Sequence, residues 1–441
     1  MVAKDDQATI EKLFRDIQRN KRADKINESY YRGLQDIGNL GISVPPDVQP
    51  FAFPLNWCRT YVDVMTERQD VRMILRAGEN SEDSDLRQDW AANNLDTEQV
   101  KFNRDMAVLG RACLSVASNP DGEIPRIRVE SPKNLAVEID TLTQETTGAL
   151  RIWRNKTGLA EHMTLYRPDY TLLLSKKRGK WEEKKVVEHG LGRVPVIMQF
   201  NRLMSGDEYT GETQMADLKP LVNMAGRVML QLQLAMETVA TPQKVGIGMT
   251  KKDFQDENGN LVEDVWETYL GAVWLLSNPK AEVKQLPGAE LKGFHDTIKM
   301  LAEQASTVTG LPVRMMGQNT ANPAAEGSIR ADESRLVKQV ERLNSQAGVA
   351  FAWALGISER LRTREWPDGQ IQIVWHNPGT PTEAQRADAI NKLSGGKAIY
   401  SRRGAMQELG WSQERIDQEI SWLEEEEGGL SIDRLGREVT M

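Results

Sequence analysis

Four histidines, two cysteines and a few lysine-bearing glycine turns are the residues most able to do chemistry in this 441-residue chain. His162, His189, His295 and His376 stand apart, none three or four residues from another His or Cys, so the spacing that gathers imidazole and thiolate around a metal is missing. Cys58 follows Trp57 with no nearby base to take a proton, which makes it a small apolar residue rather than a nucleophile. Two lone cysteines also fit a reducing compartment. Phosphate cradling needs a glycine-spaced loop ending in Gly-Lys-Ser or Gly-Lys-Thr. The nearest fragments, Gly179-Lys180-Trp181 and Gly395-Gly396-Lys397, lack both the leading glycine and the hydroxyl. Carboxylate pairs such as Asp83 with Asp85 and Glu182 with Glu183 sit in charge-dense sequence and read as solvated surface. We therefore expect no metal, no cofactor and no catalysis.

With 56 basic and 64 acidic residues the chain carries a net charge of −8, which argues against a protein that binds DNA by collecting phosphates. Only 39% of residues are apolar. Much of such a chain is solvated or meets a partner. The start, MVAKDDQATIEKLF, is charged and helix-like rather than a signal peptide, and no run of 18 apolar residues occurs, so a soluble protein is expected.

Periodicity divides the chain. Ile10, Leu13, Phe14, Ile17, Ala23, Ile26 and Tyr30 predict an amphipathic helix or helix pair over 7–36. The glycine- and proline-rich run from Gly38 to Asn56 is an extended crossing. WCRTYVDVMTERQDV predicts a helix, and Ser84 to Leu109 another helix or pair, closed by Gly110. From Ala112 to Phe200, alternating runs (ACLSVAS, RIRVES, LAVEID, ALRIWRN, HMTLYRP, YTLLLSK, KKVVEHG and VPVIMQF) predict a β-rich meander with hairpin connections at NPDG and KKRGK.

The second half is helical. Met215, Leu218, Leu221, Ala225, Val228, Leu232, Ala235 and Val239 form one stripe over Thr213–Ala240, which Pro242 stops. Lys244 to Gly288 reads as a compact insertion with a helix start at Thr250, a turn at Asn258-Gly259, strand-like GAVWLLSN and AEVKQLP, and Trp266, Tyr269 and Trp274 as its small core. Leu291, Phe294, Ile298, Leu301, Ala305 and Val308 mark another helix ending at Gly310 and Pro312. Asn322-Pro323 then opens a helix of about forty residues, far beyond the roughly 11 to 12 residue mean, with Leu336, Val340, Leu343, Ala347, Ala350, Ala354, Ile357 and Leu361 on one side. Its alanines suit close approach of a helix from the same chain or from a neighbouring copy. A strand in QIQIVWHNP, small C-terminal helices and a solvated acidic run at Glu424 to Glu427 complete the pattern.

Between the last two long helices, TGLPVRMMGQNTANPAAEGSIRADESRL holds a single charge from Gly310 to Ala325, Arg314. That stretch, with SYYRGLQDI at Ser29, NWCRTYVDVMTERQDV, LYRPD at Leu165 and HGLGRVPVIMQFNR at His189, resembles the portal proteins of tailed bacteriophages, in particular the actinobacteriophage branch. The resemblance runs from about residue 10 to about 425.

It implies an α+β portal fold with a mixed helical and β-rich wing (1–212, returning at 363–395 as a strand and helix), a helical stem, a small α/β clip and a short helical crown. The helix over 213–241 would run from wing into stem, 242–288 would be the clip, 289–309 the stem helix, 310–325 the tunnel loop, 326–362 the long helix lining the wing, and 396–441 the crown and tail. It further implies a dodecameric ring at one capsid vertex of the virion, assembled in the host cytoplasm and without a membrane. Double-stranded DNA would pass through its channel, and terminase, then a head-tail adaptor, and the major capsid protein would be its partners. In that scheme Arg314, Gln318, Asn319, Thr320 and Asn322 face DNA, while Lys251, Lys252, Lys280 and Lys284 offer a docking surface on the clip. Arg314 has an ordinary alternative as one arm of a salt bridge, and the polar residues as an exposed loop. A phage DNA-processing enzyme with dispersed carboxylates, or a helical scaffold without a channel, are the other functional readings.

Overall fold

A computed structural model describes residues 3–36, 55–79, 81–177, 180–206, 209–240, 244–248, 282–285, 291–317, 326–379, 390–392, 394, 401–409, 411 and 415–426. The first helix, α1 (Lys4–Arg32), is unbroken and ends where Gly33 turns left-handed at φ 69. It lays Leu13 and Ile17 against Leu150, Ile152, Met163, Leu165, Leu172 and Leu174 of a five-stranded sheet. That sheet is the predicted meander: β4 (Leu135–Ile139), β5 (Thr146–Arg154), β6 (Ala160–Tyr166), β7 (Tyr170–Lys177) and β8 (Lys180–Glu188) pair antiparallel in chain order. The other three strands of the β-rich region leave it. β2 (Arg111–Ala117) lies between β3 (Arg126–Glu130) and β9 (Val196–Phe200) in a separate sheet.

Two readings of the sequence are corrected here. The helix expected through Val71 stops earlier, as α2 (Trp57–Thr66), and Val71–Arg76 is a strand, β1. It pairs antiparallel with β12 (Ile371–Trp375), so its hydrogen bonds come from a segment some 300 residues away, which no local pattern reports. The helix expected from Thr213 begins as α5 only at Lys219 and runs to Ala240, with 214–218 in a turn. Pro220 explains the shift: lacking an N–H, it belongs in the first turn, where no intrahelical partner is needed. Met215 and Leu218 are nevertheless fully buried, because the turn packs on the same core.

The large core gathers α2, α3 (Ser84–Ala92), α4 (Leu95–Leu109), β2, and the longest element, α7 (Glu326–Thr363, 38 residues). At its centre the rings of Trp90 and Phe102 each lie 5.1 Å from that of Phe351, edge-on or tilted. Ala347, Ala350 and Ala354 are buried within this chain, so the small-residue face of α7 closes an internal packing rather than waiting for another copy. A smaller end is built from α5 and α6 (Lys292–Thr309), with β10 (Lys244–Ile247) paired to β11 (Glu282–Gln285). Toward the C-terminus come α8 (Arg402–Glu408) and a helix over 415–426. The predicted Thr250 helix start, Asn258-Gly259 turn, GAVWLLSN strand and Trp266, Tyr269 and Trp274 core lie outside the described residues, as does the Asn322-Pro323 cap. None of the described helices is long and apolar enough to cross a membrane.

Candidate functional site

The segment after α6 is a strap bound to the body of the protein for its first eight residues. Gly310 adopts φ 73, and its N–H donates to the Ser306 carbonyl at 2.8 Å, closing the helix. A Cβ there would lie 2.9 Å from the Arg335 side chain, which would have to shift to admit it. Ser306 Oγ donates to the Leu311 carbonyl at 2.6 Å, and the Leu311 N–H donates to Thr309 Oγ1 at 3.2 Å. The Arg335 guanidinium donates to the Thr307 carbonyl, tying α7 to the end of α6. Pro312 leads into a single 3-10 turn, Val313–Met316, which Gly317 ends at φ 83. Leu311 and Met316 are buried.

Arg314 sits in that turn and faces back onto α7. Its Nη2 lies 2.6 Å from Glu333 Oε1, with Asp332 at 3.8 Å. Glu333, only 7% exposed at its side chain, also meets Arg68 Nη1 at 3.4 Å, and Arg68 donates to the Pro378 carbonyl at 2.9 Å. One buried carboxylate thus joins the strap, the turn before β1 and the segment after β12. A second junction lies close by in sequence: Tyr61 Oη donates to Gln339 Oε1 at 3.0 Å and accepts from Gln214 Nε2 at 3.0 Å. Burying charge without a partner is costly, so a carboxylate shared by two guanidiniums fixes the position of both.

Of the residues named from the sequence, the described residues place Arg314 here. Gln318, Asn319, Thr320 and Asn322 lie outside the described residues, as do Lys251, Lys252 and Lys280. Lys284 is in β11, opposite Val245. The partners of this strap that the sequence did not single out are Glu333, Arg68 and Arg335. Glu333 is 19 residues from Arg314 and about two turns inside a helix of mixed charge, where nothing distinguishes it from its solvated neighbours.

Elsewhere the chain has buried charges of its own, several of them with a structural partner. Arg111 makes a bidentate pair with Asp24 at 2.9 and 2.8 Å. Glu130 accepts from Ser115 at 2.8 Å and pairs with Arg151, whose guanidinium stacks 3.4 Å above Trp153. Burial pushes the Asp105 carboxyl up to about 7, against the attraction of Lys133. The Cys58 thiol is pushed up to about 12 by burial, and Cys113 is raised well above its ordinary value for the same reason, so neither is a thiolate at neutral pH. Asp83, one of the carboxylates considered above, caps α3 by accepting from the Leu86 N–H at 2.8 Å and pairs with Arg76. Among the described residues no group of three or more His, Cys, Asp and Glu could hold a metal ion.

Comparison with known proteins agrees with this architecture. The model of a family described as phage portal protein, SPP1 Gp6-like, matches residues 10–430. The portal protein of Mycobacterium phage L5 is 32% identical over 425 residues, covering 93% of this chain and 86% of that protein. The portal protein of Mycobacterium phage D29 is 31% identical over 438 residues, covering 96% and 89%. Among solved structures, a chain in the neck of an empty gene transfer agent particle has a TM-score of 0.50 at 14% identity, covering 84% of this chain and 95% of that one, a likeness of fold. On the family match from residue 10 to 430 and the identity to both mycobacteriophage proteins, this chain belongs to the phage portal protein family.

Proposed function

We propose that this portal ring subunit, placed at one capsid vertex of the virion, lines a channel through which double-stranded DNA is packaged and later ejected. The ring is a dodecamer assembled in the host cytoplasm. Terminase docks first and supplies the energy for packaging, a head-tail adaptor replaces it, and the major capsid protein surrounds the wing. The subunit itself carries no catalysis.

The observation that supports a conduit over an adhesive DNA-binding protein is the state of Arg314. It is the single charge between Gly310 and Ala325, and Glu333 already neutralises much of it. Each phosphate held by a free cation would deepen binding and steepen its salt dependence, and a duplex held that way does not slide. A half-compensated cation repeated around a ring gives many weak contacts. Twelve copies facing a helix of roughly 10 to 10.5 base pairs per turn cannot all be in register, which levels the barriers to movement. The net charge of −8 adds a repulsive wall. The same symmetry argument extends to Gln318, Asn319, Thr320 and Asn322 as adaptable hydrogen-bonding groups, and Lys251, Lys252, Lys280 and Lys284 are assigned to the docking rim.

Replacing Arg314 with Ala tests this. Glu333 keeps Arg68 as a partner, so the subunit should lose only about 1 kcal/mol and still form rings. DNA packaging or retention should change. Failure of the variant to form rings would make Arg314 a structural residue and remove it from the channel.

A further inference from the structure

A cleft of about 480 Å³ runs along β3, lined also by the turn that joins α3 to α4 and by Arg151 of β5. β3 is an edge: its sheet has the order β3-β2-β9, and among the described residues no strand lies on its other side. An open edge presents unpaired N–H and C=O groups to any strand that reaches it. Asn93 plugs part of this one. Its Oδ1 accepts the Ile127 N–H at 2.8 Å and its Nδ2 donates to the Pro125 carbonyl at 3.0 Å, as a neighbouring strand would. Backbone groups alternate inward and outward along an antiparallel edge, so an outward Ile127 N–H makes Val129 outward as well, while Arg126, Arg128 and Glu130 bond β2. The Val129 N–H and carbonyl therefore lie on the cleft side of β3 with no strand to meet them.

The side chains alternate too. Ile127 is buried in the large core and Val129 packs against it, so Arg126 and Arg128 stand on the opposite face of the strand. Three guanidiniums line the cleft. Arg126 pairs with Asp121 at 2.8 Å, and Arg151 pairs with Glu130. Arg128 is exposed and makes no salt bridge among the described residues. The carboxylate that feels its charge, Glu130, is already held by Ser115 Oγ and Arg151, and Glu98, the other acid on the cleft, pairs with Lys101. A phosphate would also be drawn to Arg128, but its oxygens only accept hydrogen bonds, whereas the edge beside Arg128 must both donate and accept. An extended peptide does both, and a carboxylate on it meets the guanidinium.

We propose that β3 is a docking edge for an extended acidic segment of a partner protein, which adds a strand through the Val129 N–H and carbonyl and sets a carboxylate against Arg128. The residues on either side of that carboxylate fall on the Val129 face of the added strand, where small apolar side chains suit a cleft that Ala92 and Ile124 also line. The inference is independent of the ring reading above, since it concerns what the edge binds and not how subunits assemble.

The probe is a fluorescein-labelled peptide of alternating Val and Asp, titrated with the full-length protein and followed by anisotropy. It should bind, and the same peptide with Lys in place of Asp should not. In an added strand the valine amides turn toward β3 and the aspartate amides turn away. Methylating the valine nitrogens should therefore abolish binding, whereas methylating the aspartate nitrogens should leave it. Arg128→Glu should weaken the affinity about tenfold or more. Val129→Pro removes an N–H that bonds no strand in the subunit and should weaken it as well; should that variant fail to fold, the methylated peptides read the same hydrogen bonds on the unaltered protein. No binding of the parent peptide overturns the proposal. So does equal binding of the two methylated peptides, or ready displacement of the parent peptide by duplex DNA with Val129→Pro binding unchanged, since either result would mean that charge alone attracts the ligand.

Discussion

The body around α7 and the α5–α6 end of this subunit both rest on long helices, yet they bury their apolar residues to different degrees. Trp90, Phe102 and Phe351 are fully buried, and beside them Ser358 Oγ donates to the buried carboxylate of Asp89 at 2.9 Å, with Arg362 Nη1 3.7 Å from its other oxygen. In contrast, α5 carries only Lys219, Arg227 and Glu237 as charges over its 22 residues, while Met224, Met236 and Met300 stand about half exposed. A helix with so little charge normally belongs in an interior. The difference teaches that apolar content and burial part company along α5 and α6, whereas the core around Phe351 is packed within the chain.

Three substitutions break or sharpen this contrast. The largest effect is expected from Phe351→Ala, which empties the centre of the aromatic cluster and should cost about 3–5 kcal/mol, read as a drop in the denaturant midpoint of the unassembled subunit. A loss below about 1 kcal/mol would mean that this core is not what holds the subunit together. Next comes Gly211→Ala. Gly211 has φ 69, and a Cβ would lie 2.0 Å from the Gly110 carbonyl oxygen, where the end of α4 crosses the approach to α5. Strain of this kind should cost about 2–3 kcal/mol, and a neutral result would require that crossing to be loose. The smallest effect on the isolated subunit is expected from Met224→Ser, under about 0.5 kcal/mol, combined with weakened assembly in sedimentation. A large loss of subunit stability there would place Met224 in a core complete within one chain.

How much was legible in sequence follows the same division. The eight strands from β2 to β9 and the helices α1, α4, α6 and α7 are visible because their apolar residues repeat at the period of the element they form. The left-handed closures at Gly110 and Gly310 are visible because only glycine fits them easily. β1 was hidden: VRMILR is a short apolar run following a helix without a Gly or Pro break, and its strand character comes from β12. The split of the β-rich region into two sheets was hidden for the same reason, since β2 takes β9 rather than β4 as its second neighbour. At the candidate site, Arg314 stood out as a lone charge. Glu333 and Arg68, which hold it, are two charges among many until the chain folds and brings residues 68, 314 and 333 together.

The most direct test of the account is electron microscopy of the purified full-length protein, viewed along the symmetry axis of whatever assembly it forms. Rings of about twelve subunits around a hole wider than the duplex, whose two grooves alone are roughly 12 and 6 Å across, are the predicted result. Monomers or open filaments under all conditions would contradict it.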